Sequence, residues 1–474
     1  MFNRVLVANR GEIAVRVIRA LHELGVEAVA VYSTADADAL HVRLADRAVR
    51  LGPPAPGASY LNIGSVVAAA TTTGCEAVHP GYGFLSENAE FARMCEANDL
   101  VFIGPSAHVM ERMGDKALAK VEMRAAGVPL VPGTEGAASL AEAREAAEEL
   151  GYPVLLKASA GGGGRGMRLV HARAELHDAY DRAAAEAHAA FGDGTLYVEK
   201  AITPARHVEI QVICDHHGGI LTCGERECSI QRRHQKLIEE SPSPALDAAL
   251  REEMEAAAER ACRHIGYRNA GTFEFLVGPD GSFSFIELNT RLQVEHPVTE
   301  VVIGLDLVRL QVRVAAGEPL PLTGRAPREG HAIEIRINAE DPSRGFAPAP
   351  GRLARFRAPL GPGVRVDTFV EDGSVISPHY DSLIAKVIVR DDTRDHAIER
   401  ALRVLRELEV VGVPTTREAA LDILGSDEFR SGEYSTSFLE EAGARLPALA
   451  GSVAGRAGGA RPESLAPSAP GAGT

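Results

Sequence analysis

Polar and apolar residues alternate along FSFIELNTRLQVEHPVTE, residues 283–300. A period of two predicts extended chain with one polar and one apolar face. A solvated strand would alternate in the same way, but its polar face usually carries interchangeable Lys, Thr and Ser. Here the polar face combines carboxylates, amides and a guanidinium, namely Glu287, Asn289, Arg291, Gln293 and Glu295. Such a row could hold a metal ion, an anion and a proton acceptor side by side.

A second strand-like segment, GTFEFLV at 271–277, precedes this row. A two-residue turn centred on Asp280-Gly281 would pair the two segments as a hairpin and set Glu274 opposite Glu287. Bare like charges in that position are destabilising, and a divalent cation between them would remove the conflict. The oxygen donors that would suit Mg²⁺ or Mn²⁺ here are Glu274, Glu287 and Asn289. A solvent-facing hairpin with tolerated repulsion is the alternative.

The pattern along the rest of the chain predicts alternating strands and helices. At the N-terminus, strands at 5–8 and 26–32 flank a helix at about 11–24, which is a β-α-β unit. Its first turn, NRGE, has one glycine, so the dinucleotide-binding fingerprint is absent and NAD binding is disfavoured. Further strands are predicted at 100–104, 152–159, 195–202, 206–215, 219–229 and 333–341, and helices at 105–130 and 246–266. This alternation predicts an α/β protein.

Composition narrows the class of protein. With 474 residues and 45% apolar content, the chain can form two to four domains with real cores. The net charge of −15 argues against nucleic-acid binding, and no apolar run approaches the ~18–20 residues of a membrane span. The six cysteines include no C-x-x-C pair, and the charged start lacks a signal-peptide pattern, so we expect a cytoplasmic protein.

A glycine-rich stretch, KASAGGGGRGMRLV at 157–170, lies between two strand-like runs. Glycines such as Gly163 and Gly164 let backbone N–H groups approach phosphates, and Lys157 stands at the base of the loop. No G-K-[ST] follows, so this is not a Walker A loop. The pattern favours a flexible flap over a nucleotide, and the alternative is a mobile hairpin tip.

Cations are concentrated in the segment CSIQRRHQKLIEE, residues 228–240. Within five residues it contains Arg232, Arg233, His234 and Lys236. In an acidic protein such a cluster is a candidate anion site, although a solvated charge run balanced by Glu239 and Glu240 is the alternative. Further along, Arg336 interrupts an otherwise apolar strand pattern, where a charged group usually has a partner.

Taken together, these segments resemble the biotin carboxylase family of the ATP-grasp superfamily over about residues 1–445. The motifs follow the family's order, and they are VLVANRGEIA, HPGYGFLSEN, IGP, MGDK, KASAGGGGRGM, ERECSIQRRHQK, GTFEFL, FIELNTRLQVEHPVTE, RINAED and YDSLIAK. The resemblance implies an α/β fold with a Rossmann-like N-terminal domain and a central ATP-grasp domain that carries a mobile Gly-rich lid. A C-terminal α/β biotin carboxylase domain and a disordered Ala/Gly/Pro tail follow. The expected bounds are 1–112, 113–332 with the lid at about 131–203, 333–445, and 446–474.

The resemblance also implies roles for individual residues. Nucleotide-side contacts are implied for Lys116, Lys157, Gly163, Gly164, Glu199, Lys200, His207, Gln231 and His234. The metal-binding set is matched by Glu274, Glu287 and Asn289, in agreement with the hairpin argument. The bicarbonate pocket is matched by Lys236, Arg291, Gln293 and the backbone of Val294, and the first two are also expected to act in catalysis. The remaining matches are Glu295 as general base, Arg336 facing the ureido oxygen of biotin, and Tyr82 near the biotin.

The implied reaction is the carboxylation of biotin with ATP and bicarbonate by way of carboxyphosphate. The implied cofactors are ATP and Mg²⁺ or Mn²⁺, with two ions. No methionine in the chain precedes a lysine, so the Met-Lys-Met-type biotinylation motif is absent. Biotin is therefore expected on a separate carboxyl carrier protein, with carboxyltransferase subunits as further partners. A homodimer is also expected, without nucleic-acid or membrane partners.

Three hypotheses remain open. The first is a biotin carboxylase subunit of acetyl-CoA or another acyl-CoA carboxylase in fatty acid biosynthesis, and the same chemistry would serve a two-subunit pyruvate carboxylase. The second is an ATP-grasp ligase with another acceptor, such as a carbamoyl-phosphate or amino-acid ligase, and RLQVEHPVTE and RINAED argue against it. The third is a non-catalytic ATP-binding scaffold, which is disfavoured because every matched catalytic position is filled.

Overall fold

The N-terminal part of the chain forms an α/β layer around a five-stranded parallel sheet. The computed structural model describes residues 1–134, 136, 138–159, 167–233, 235–443 and 445–449. The elements of this part are β1 (Arg4–Val7), α1 (Gly11–Glu23), β2 (Glu27–Ser33), α2 (Leu40–Leu44), β3 (Arg47–Gly52), α3 (Ile63–Thr72), β4 (Ala77–His79), α4 (Ala89–Glu96), β5 (Val101–Phe102) and α5 (Ala107–Gly114). The strand order is β3-β2-β1-β4-β5, and the predicted β-α-β unit is confirmed as β1-α1-β2.

The central part continues with helices and long antiparallel strands. Its elements are α6 (Lys116–Ala125), α7 (Leu140–Leu150), β6 (Val154–Ala158), β7 (Arg168–Val170), α8 (Leu176–Phe191), β8 (Leu196–Lys200), β9 (Arg206–Cys214), β10 (Ile220–Arg232), β11 (Gln235–Ser241), α9 (Ala248–Ile265), β12 (Asn269–Val277), β13 (Phe283–Asn289), α10 (His296–Ile303), α11 (Leu307–Ala315) and β14 (Gly324–Arg325). The single helix predicted at 105–130 is divided at Asp115, whose carboxylate accepts hydrogen bonds from the first N–H groups of α6.

The C-terminal part adds smaller ribbons and a helical cover. Its elements are β15 (His331–Asn338), β16 (Glu340–Asp341), β17 (Ala347–Pro348), β18 (Gly351–Arg352), β19 (Arg355–Arg357), β20 (Val364–Thr368), β21 (Val375–Ile376), β22 (Leu383–Asp391), α12 (Arg394–Glu407), β23 (Glu409–Val411), α13 (Arg417–Gly425), α14 (Asp427–Ser431) and α15 (Phe438–Ala442). Short 3-10 helices occur at Thr34–Asp36, Pro56–Ala58, Arg173–Glu175, Pro342–Arg344 and Pro447–Leu449.

A nine-stranded sheet joins the central and C-terminal parts. Eight of its strands follow the order β13-β12-β9-β10-β11-β15-β22-β20, and β14 pairs with β10 at the side. Because β11 is hydrogen-bonded to β15, the sheet continues across the domain bound expected at residue 332. Arg336 of β15 thereby comes close to Glu239 of β11. A separate antiparallel sheet, β7-β6-β8, packs against α7 and α8 through a small apolar core.

The hairpin of β12 and β13 confirms one prediction and corrects another. Glu274 faces Glu287 across the two strands, as predicted. The turn is longer than the predicted two-residue one, since the Gly278 N–H donates to Ser282 O at 2.8 Å and Gly281 has φ +77°. The longer turn would shift the register by one residue, and an irregularity between Glu274 and Phe275 restores it.

The packed chain extends slightly beyond the expected end of the last domain. Leu446 and Leu449 are buried and join the core of the C-terminal part, although the disordered tail was expected to begin at residue 446. The rest of that predicted tail, 450–474, lies outside the described residues. Within the described part of the chain, every helix is too short or too polar to cross a membrane.

Candidate active site

A cavity of about 1080 Å³ opens where the three parts of the chain meet. Of the residues implied by the resemblance, those that line it are Tyr82, Lys116, Lys157, Glu199, His207, Gln231, Lys236, Glu274, Glu287, Asn289, Arg291, Gln293, Val294, Glu295 and Arg336. They come from loops, strands and the start of α6, up to 254 positions apart from Tyr82 to Arg336, so the fold assembles them into one site. Gly163, Gly164 and His234, also implied, lie outside the described residues.

The polar row of residues 287–295 does enter this cavity, although it is not one strand. β13 ends at Asn289, and the chain then turns into α10, for which Glu295 is the N-terminal cap residue. The alternating residues nevertheless stay on the cavity side. Arg291 connects them, because it donates to Asn289 Oδ1 at 3.1 Å and to Gln293 Oε1 at 2.8 Å.

Arg291 is also fixed from outside the row by Glu87. Its Nε donates to Glu87 Oε2 at 2.9 Å, and Glu87 Oε1 accepts the Thr290 N–H at 3.0 Å. Glu87 belongs to the loop HPGYGFLSEN, and its contacts were not among those predicted from the sequence. One guanidinium therefore ties the N-terminal loop to the central hairpin.

Lys236 lies at the centre of a ring of carboxylates. Its Nζ is 2.5 Å from Glu295 Oε1, 2.7 Å from Glu209 Oε2 and 3.2 Å from Glu274 Oε1. Burial lowers the pKa of Lys236, but the surrounding acidic groups outweigh it and hold the pKa well above its ordinary value. Lys236 is therefore a charged ammonium, and it stands within hydrogen-bond reach of the expected base.

Arg336 completes this network on the side of the C-terminal part. Its guanidinium lies 2.9 Å from Glu295 Oε2, and its Nε donates to Glu239 Oε1 at 2.6 Å. Burial raises the pKa of Glu295, but the charges of Lys236, Arg336 and Arg226 outweigh it and hold the pKa well below its ordinary value. Glu295 is thus ionised, and both of its oxygens are bound to cations.

The candidate metal ligands face each other at the edge of the same network. Glu274 accepts hydrogen bonds from Asn289 Nδ2 at 2.8 Å and Gln293 Nε2 at 3.0 Å, and His207 Nε2 lies 3.0 Å from its other oxygen. Partial desolvation in the cavity and the charge of Glu274 raise the pKa of Glu287. Two facing carboxylates supply the oxygen donors that Mg²⁺ prefers, so Glu274 and Glu287 fit a divalent cation. Asn289 lies beside them, with its amide nitrogen toward Glu274 and its oxygen bound by Arg291.

A second group of cations lies at the other end of the cavity. Lys157 Nζ and Lys120 Nζ are each 2.6 Å from an oxygen of Glu199, and Lys120 also lies 4.2 Å from the centre of the Tyr197 ring. Burial raises the pKa of Glu199, but these two ammonium groups outweigh it and lower the pKa. Burial lowers the pKa of Lys116 in the same region. Cations gathered in an acidic protein suit a polyphosphate.

Two of the predicted basic positions lie apart from the lysines of the cavity. The Lys200 ammonium donates to the carbonyls of Gly151 and Tyr152, at 2.8 and 3.3 Å, and Lys200 does not line the cavity, so its place beside the nucleotide stays a prediction. Arg232 and Lys236 of the basic cluster do not form one anion site, because the hairpin of β10 and β11 pairs Lys236 with Gln231 and Arg232 with Gln235. Lys236 enters the cavity, whereas Arg232 donates to Gly345 O and lies over the Phe346 ring.

Sequence reasoning missed several residues that complete the site. Arg226 is fully buried and donates to Glu209 Oε1 at 2.5 Å, which orients that carboxylate toward Lys236. Lys386 is fully buried, 3.1 Å from Glu12 Oε1 and 2.8 Å from Val294 O. A signal was present, since Arg226 is a charge within the predicted strand 219–229 and Lys386 interrupts the apolar run LIAKVIV at 383–389. The same rule, that such a charge has a partner, would have flagged them.

The arrangement can bind an anion, remove a proton from it and stabilise a second oxyanion. Lys236 and Arg291 supply positive charge, and Glu295 is an ionised proton acceptor. Arg336 contacts Glu295 and also lines the cavity, where it can donate to a second anion. Ionisable groups with strongly shifted pKa values that meet in a cleft mark a candidate functional site.

Family models match three consecutive parts of the chain. The model described as "Biotin carboxylase, N-terminal domain" matches residues 1–110, and "Biotin carboxylase C-terminal domain" matches 334–441. Between them, "Carbamoyl-phosphate synthase L chain, ATP binding domain" matches 115–323. The central match describes an ATP-binding domain, and the flanking matches distinguish this chain from a carbamoyl-phosphate synthase.

Full-length relatives and solved structures agree with these matches. A "Biotin carboxylase" of Nostoc sp. is 52% identical over 442 residues, which cover 93% of this chain and 99% of that protein. A protein of Methanothermobacter thermautotrophicus that is named as a subunit of pyruvate carboxylase is 51% identical, covering 93% and 90%. The crystal structure of the biotin carboxylase domain dimer of Hydrogenobacter thermophilus 2-oxoglutarate carboxylase, with MgADP, ADP and bicarbonate, superposes with a TM-score of 0.89 at 48% identity, covering 94% and 99%.

Proposed function

We propose that this chain, which belongs to the biotin carboxylase family, carboxylates biotin on a separate carrier protein with ATP and bicarbonate. It is an ATP-dependent ligase that releases ADP and phosphate. The observation that carries the proposal is the contact of Glu295 with both Lys236 and Arg336, at 2.5 and 2.9 Å, inside a cavity with a second cationic end. A base for bicarbonate and a cation for the biotin oxyanion are thereby adjacent.

ATP occupies the end of the cavity that contains the lysines. Lys116 and Lys157 bind its phosphates, Glu199 lies at the adenine, and His207, Gln231 and His234 contact the ribose or the phosphates. Binding would separate Lys157 from Glu199, because a polyphosphate is the stronger partner for an ammonium.

Mg²⁺ or Mn²⁺, as two ions, would be held by Glu274, Glu287 and Asn289, and it offsets charge on the phosphates when bound. Gly163 and Gly164 belong to the proposed lid that excludes water.

Bicarbonate binds between Lys236, Arg291, Gln293 and the backbone of Val294. A carboxylate with a strongly lowered pKa is a weak base, so Glu295 needs a change in its surroundings to take a proton. The anion supplies that change, because it competes with Glu295 for the ammonium of Lys236 and thereby raises the pKa of Glu295. Glu295 then removes the bicarbonate proton as the bicarbonate oxygen attacks the γ-phosphorus of ATP. ADP leaves, and carboxyphosphate is formed.

Biotin enters from the side of Arg336 and Tyr82. Carboxyphosphate gives CO₂ and phosphate, the phosphate takes the ureido N–H proton, and the ureido nitrogen attacks CO₂. Arg336 donates to the ureido oxygen, on which negative charge develops, and this is an oxyanion-type role. Its second contact, with Glu239, holds the guanidinium in place while Glu295 is occupied with bicarbonate.

Two further proposals concern the protein that carries biotin and the molecule that finally receives the carboxyl group. We propose that a biotin carboxyl carrier protein carries the biotin, and that carboxyltransferase subunits transfer the carboxyl group to acetyl-CoA in the cytoplasm. Pyruvate is the second candidate acceptor, since a relative of nearly equal identity is named as a subunit of pyruvate carboxylase. A homodimer is proposed from the dimer of the Hydrogenobacter domain. The proposed domains span 1–112, 113–332 with the lid at about 131–203, and 333–445 extended to Leu449.

ADP release measured with each component omitted in turn tests this function. We expect release that requires both bicarbonate and Mg²⁺ and that rises when free biotin is added. Carboxybiotin should appear only when all components are present. ADP release that ignores bicarbonate, or that depends instead on an amino acid or ammonia, would point to another ligase. Adding a purified carrier together with its carboxyltransferase subunits, and then acetyl-CoA or pyruvate, separates the two acceptors.

A further inference from the structure

Lysine is rare in this chain, and its positions are concentrated around the cavity. Of 50 cationic Lys and Arg residues, six are lysines, namely Lys116, Lys120, Lys157, Lys200, Lys236 and Lys386. Four of them line the cavity, and Lys200 binds the carbonyl of Gly151 outside it. The sixth, Lys386, is fully buried on β22 and has no part in the function proposed above. An ammonium is a compact point charge with three donors, so a buried lysine needs several acceptors close together.

The acceptors of Lys386 belong to two distant parts of the chain. Its Nζ donates to Val294 O at 2.8 Å and lies 3.1 Å from Glu12 Oε1, which is in the first turn of α1. Tyr82, which lines the cavity, donates its hydroxyl hydrogen bond to the same Glu12 oxygen. One ammonium therefore joins the N-terminal part, the turn before Glu295 and the C-terminal sheet.

The turn that carries Val294 is held at two consecutive carbonyls. His296 Nδ1 donates to Gln293 O at 2.8 Å, and Lys386 donates to Val294 O at 2.8 Å. Because a peptide unit is planar, fixing these carbonyls also fixes the directions of the Val294 and Glu295 N–H groups. Val294 and Glu295 both line the cavity at the proposed bicarbonate pocket. The backbone of that pocket is thus oriented from behind by buried side chains.

The other charged groups around Lys386 account for its ionised state. In the sheet, Arg336 of β15 and Asp367 of β20 stand opposite it on the two neighbouring strands, and Glu334 lies two positions from Arg336. Arg365 neutralises Asp367 through two hydrogen bonds, at 2.8 and 2.7 Å. Burial lowers the pKa of Lys386, but Glu12, Glu334 and Asp367 outweigh it and raise the pKa. The ammonium is therefore charged and can donate to Val294.

We propose that Lys386 is a positioning residue for bicarbonate: through Val294 O it sets the backbone of the turn that binds bicarbonate and presents Glu295. The proposal rests on the function proposed above, because it assigns a second residue to the bicarbonate pocket. Loss of Lys386 should weaken bicarbonate binding and its activation, while ATP binds to the far end of the cavity much as before. A purely structural ion pair between Lys386 and Glu12 would instead affect stability alone.

A double-mutant comparison separates these two roles. Lys386→Met leaves Glu12 as an unpaired buried carboxylate, so this variant should lose thermal stability. Adding Glu12→Gln removes the unpaired charge, so the double variant should regain much of that stability. If Lys386 positions the turn, the double variant should keep a KM for bicarbonate raised by about tenfold or more and a KM for ATP within about twofold of the wild type.

Arg394→Met is the matched control. It breaks another buried ion pair, Arg394 with Glu240 at 2.7 Å, whose residues do not line the cavity. This control should lower the melting temperature and leave the KM for bicarbonate near that of the wild type. If Arg394→Met raises that KM as much as Lys386→Met does, the effect is a general loss of stability and the positioning role is wrong.

The remaining outcomes also decide the question. Recovery of the wild-type KM for bicarbonate in the double variant would overturn the proposal, and so would failure of both Lys386→Met variants to fold, since Lys386 would then be required for the fold itself. Absence of bicarbonate-dependent ADP release in the wild-type enzyme would instead refute the proposed function. The two failures are therefore distinguishable in one set of assays.

Discussion

At the scale of single residues, the chemistry depends on which charges touch. Glu295 was predicted as a base, Lys236 as part of the bicarbonate pocket and Arg336 as a biotin contact, each from its own motif. The structure adds that Glu295 binds both cations at once. The functional importance of single residues could be predicted, because an Arg within an apolar strand, or two facing carboxylates in a hairpin, is unusual. The contacts of Glu295 with Arg336 and Lys236 could not be predicted, because they join residues that are 41 and 59 positions apart.

The facing carboxylates of the hairpin provide the first residue-scale prediction. Glu287→Lys replaces a proposed metal ligand with a repelling charge, and Glu287 lines the cavity without belonging to the buried core. We therefore expect a folded protein whose Mg²⁺-dependent ADP release is reduced by at least about a hundredfold. Glu329→Lys, an equal charge reversal on a side chain that is 87% exposed, is the control and should stay active. Ordinary metal dependence in Glu287→Lys would show that the site is elsewhere.

Glu239 provides a prediction about pH. Burial raises the pKa of Glu239 to about 7, although Arg336 opposes the shift. Its folded-state pKa lies above the ordinary 4.5, so the native state binds more protons between these values and stability falls as pH rises from about 5 to 7. Glu239→Gln should remove that loss, by up to about 3 kcal/mol. Urea unfolding of both proteins from pH 5 to 8 measures it, and a constant difference between them would contradict the shift.

At the scale of elements, the hairpin of β12 and β13 shows what a sequence pattern can and cannot determine. The pairing of Glu274 with Glu287 was predicted correctly, yet the predicted two-residue turn was wrong. A three-residue turn and a strand irregularity shift the register in opposite directions and cancel. Alternation of polar and apolar residues constrains which face is buried, and so it fixes the pairing near the site. It carries little information about where an extra residue is accommodated.

Glu240 follows Glu239 on β11 and binds His331 and Arg394 of the C-terminal part. These contacts provide a prediction about how that part is attached. Burial raises its pKa, but hydrogen bonds from His331 and Arg394 outweigh burial and lower it to about 2. A lowered pKa stabilises the fold above the ordinary value of 4.5, and this contribution is lost as pH falls toward 2. Glu240→Gln should therefore cost about 3 kcal/mol at pH 7 and progressively less below pH 4.5. An equal deficit at pH 3.5 and pH 7 would refute the ion-pair account.

At the scale of the whole molecule, one cavity is built from all three parts of the chain. The N-terminal loop contributes Tyr82, the central hairpin contributes the carboxylates, and the C-terminal strand contributes Arg336. Glu87 of the N-terminal loop also holds Arg291. The α/β class and most strands could be predicted from periodicity, and so could the residues near the cavity from the resemblance. The continuous sheet across β11 and β15 could not, because pairing between distant strands leaves no local pattern. Lys386 and Arg226 are charges within strand-like runs, but their partners on distant elements could not be predicted from a local pattern.

The measurement that tests the central claim most directly compares Glu295→Ala and Arg336→Ala in two assays. Bicarbonate-dependent ADP release without biotin reports formation of carboxyphosphate, and carboxybiotin formation reports the complete reaction. Glu295→Ala should lose both, because the base acts in the first step. Arg336→Ala should lose carboxybiotin formation more than ADP release, by about 2–4 kcal/mol in barrier, the usual loss for one oxyanion donor. Equal losses in Arg336→Ala, or bicarbonate-dependent ADP release retained by Glu295→Ala, would contradict the assigned roles.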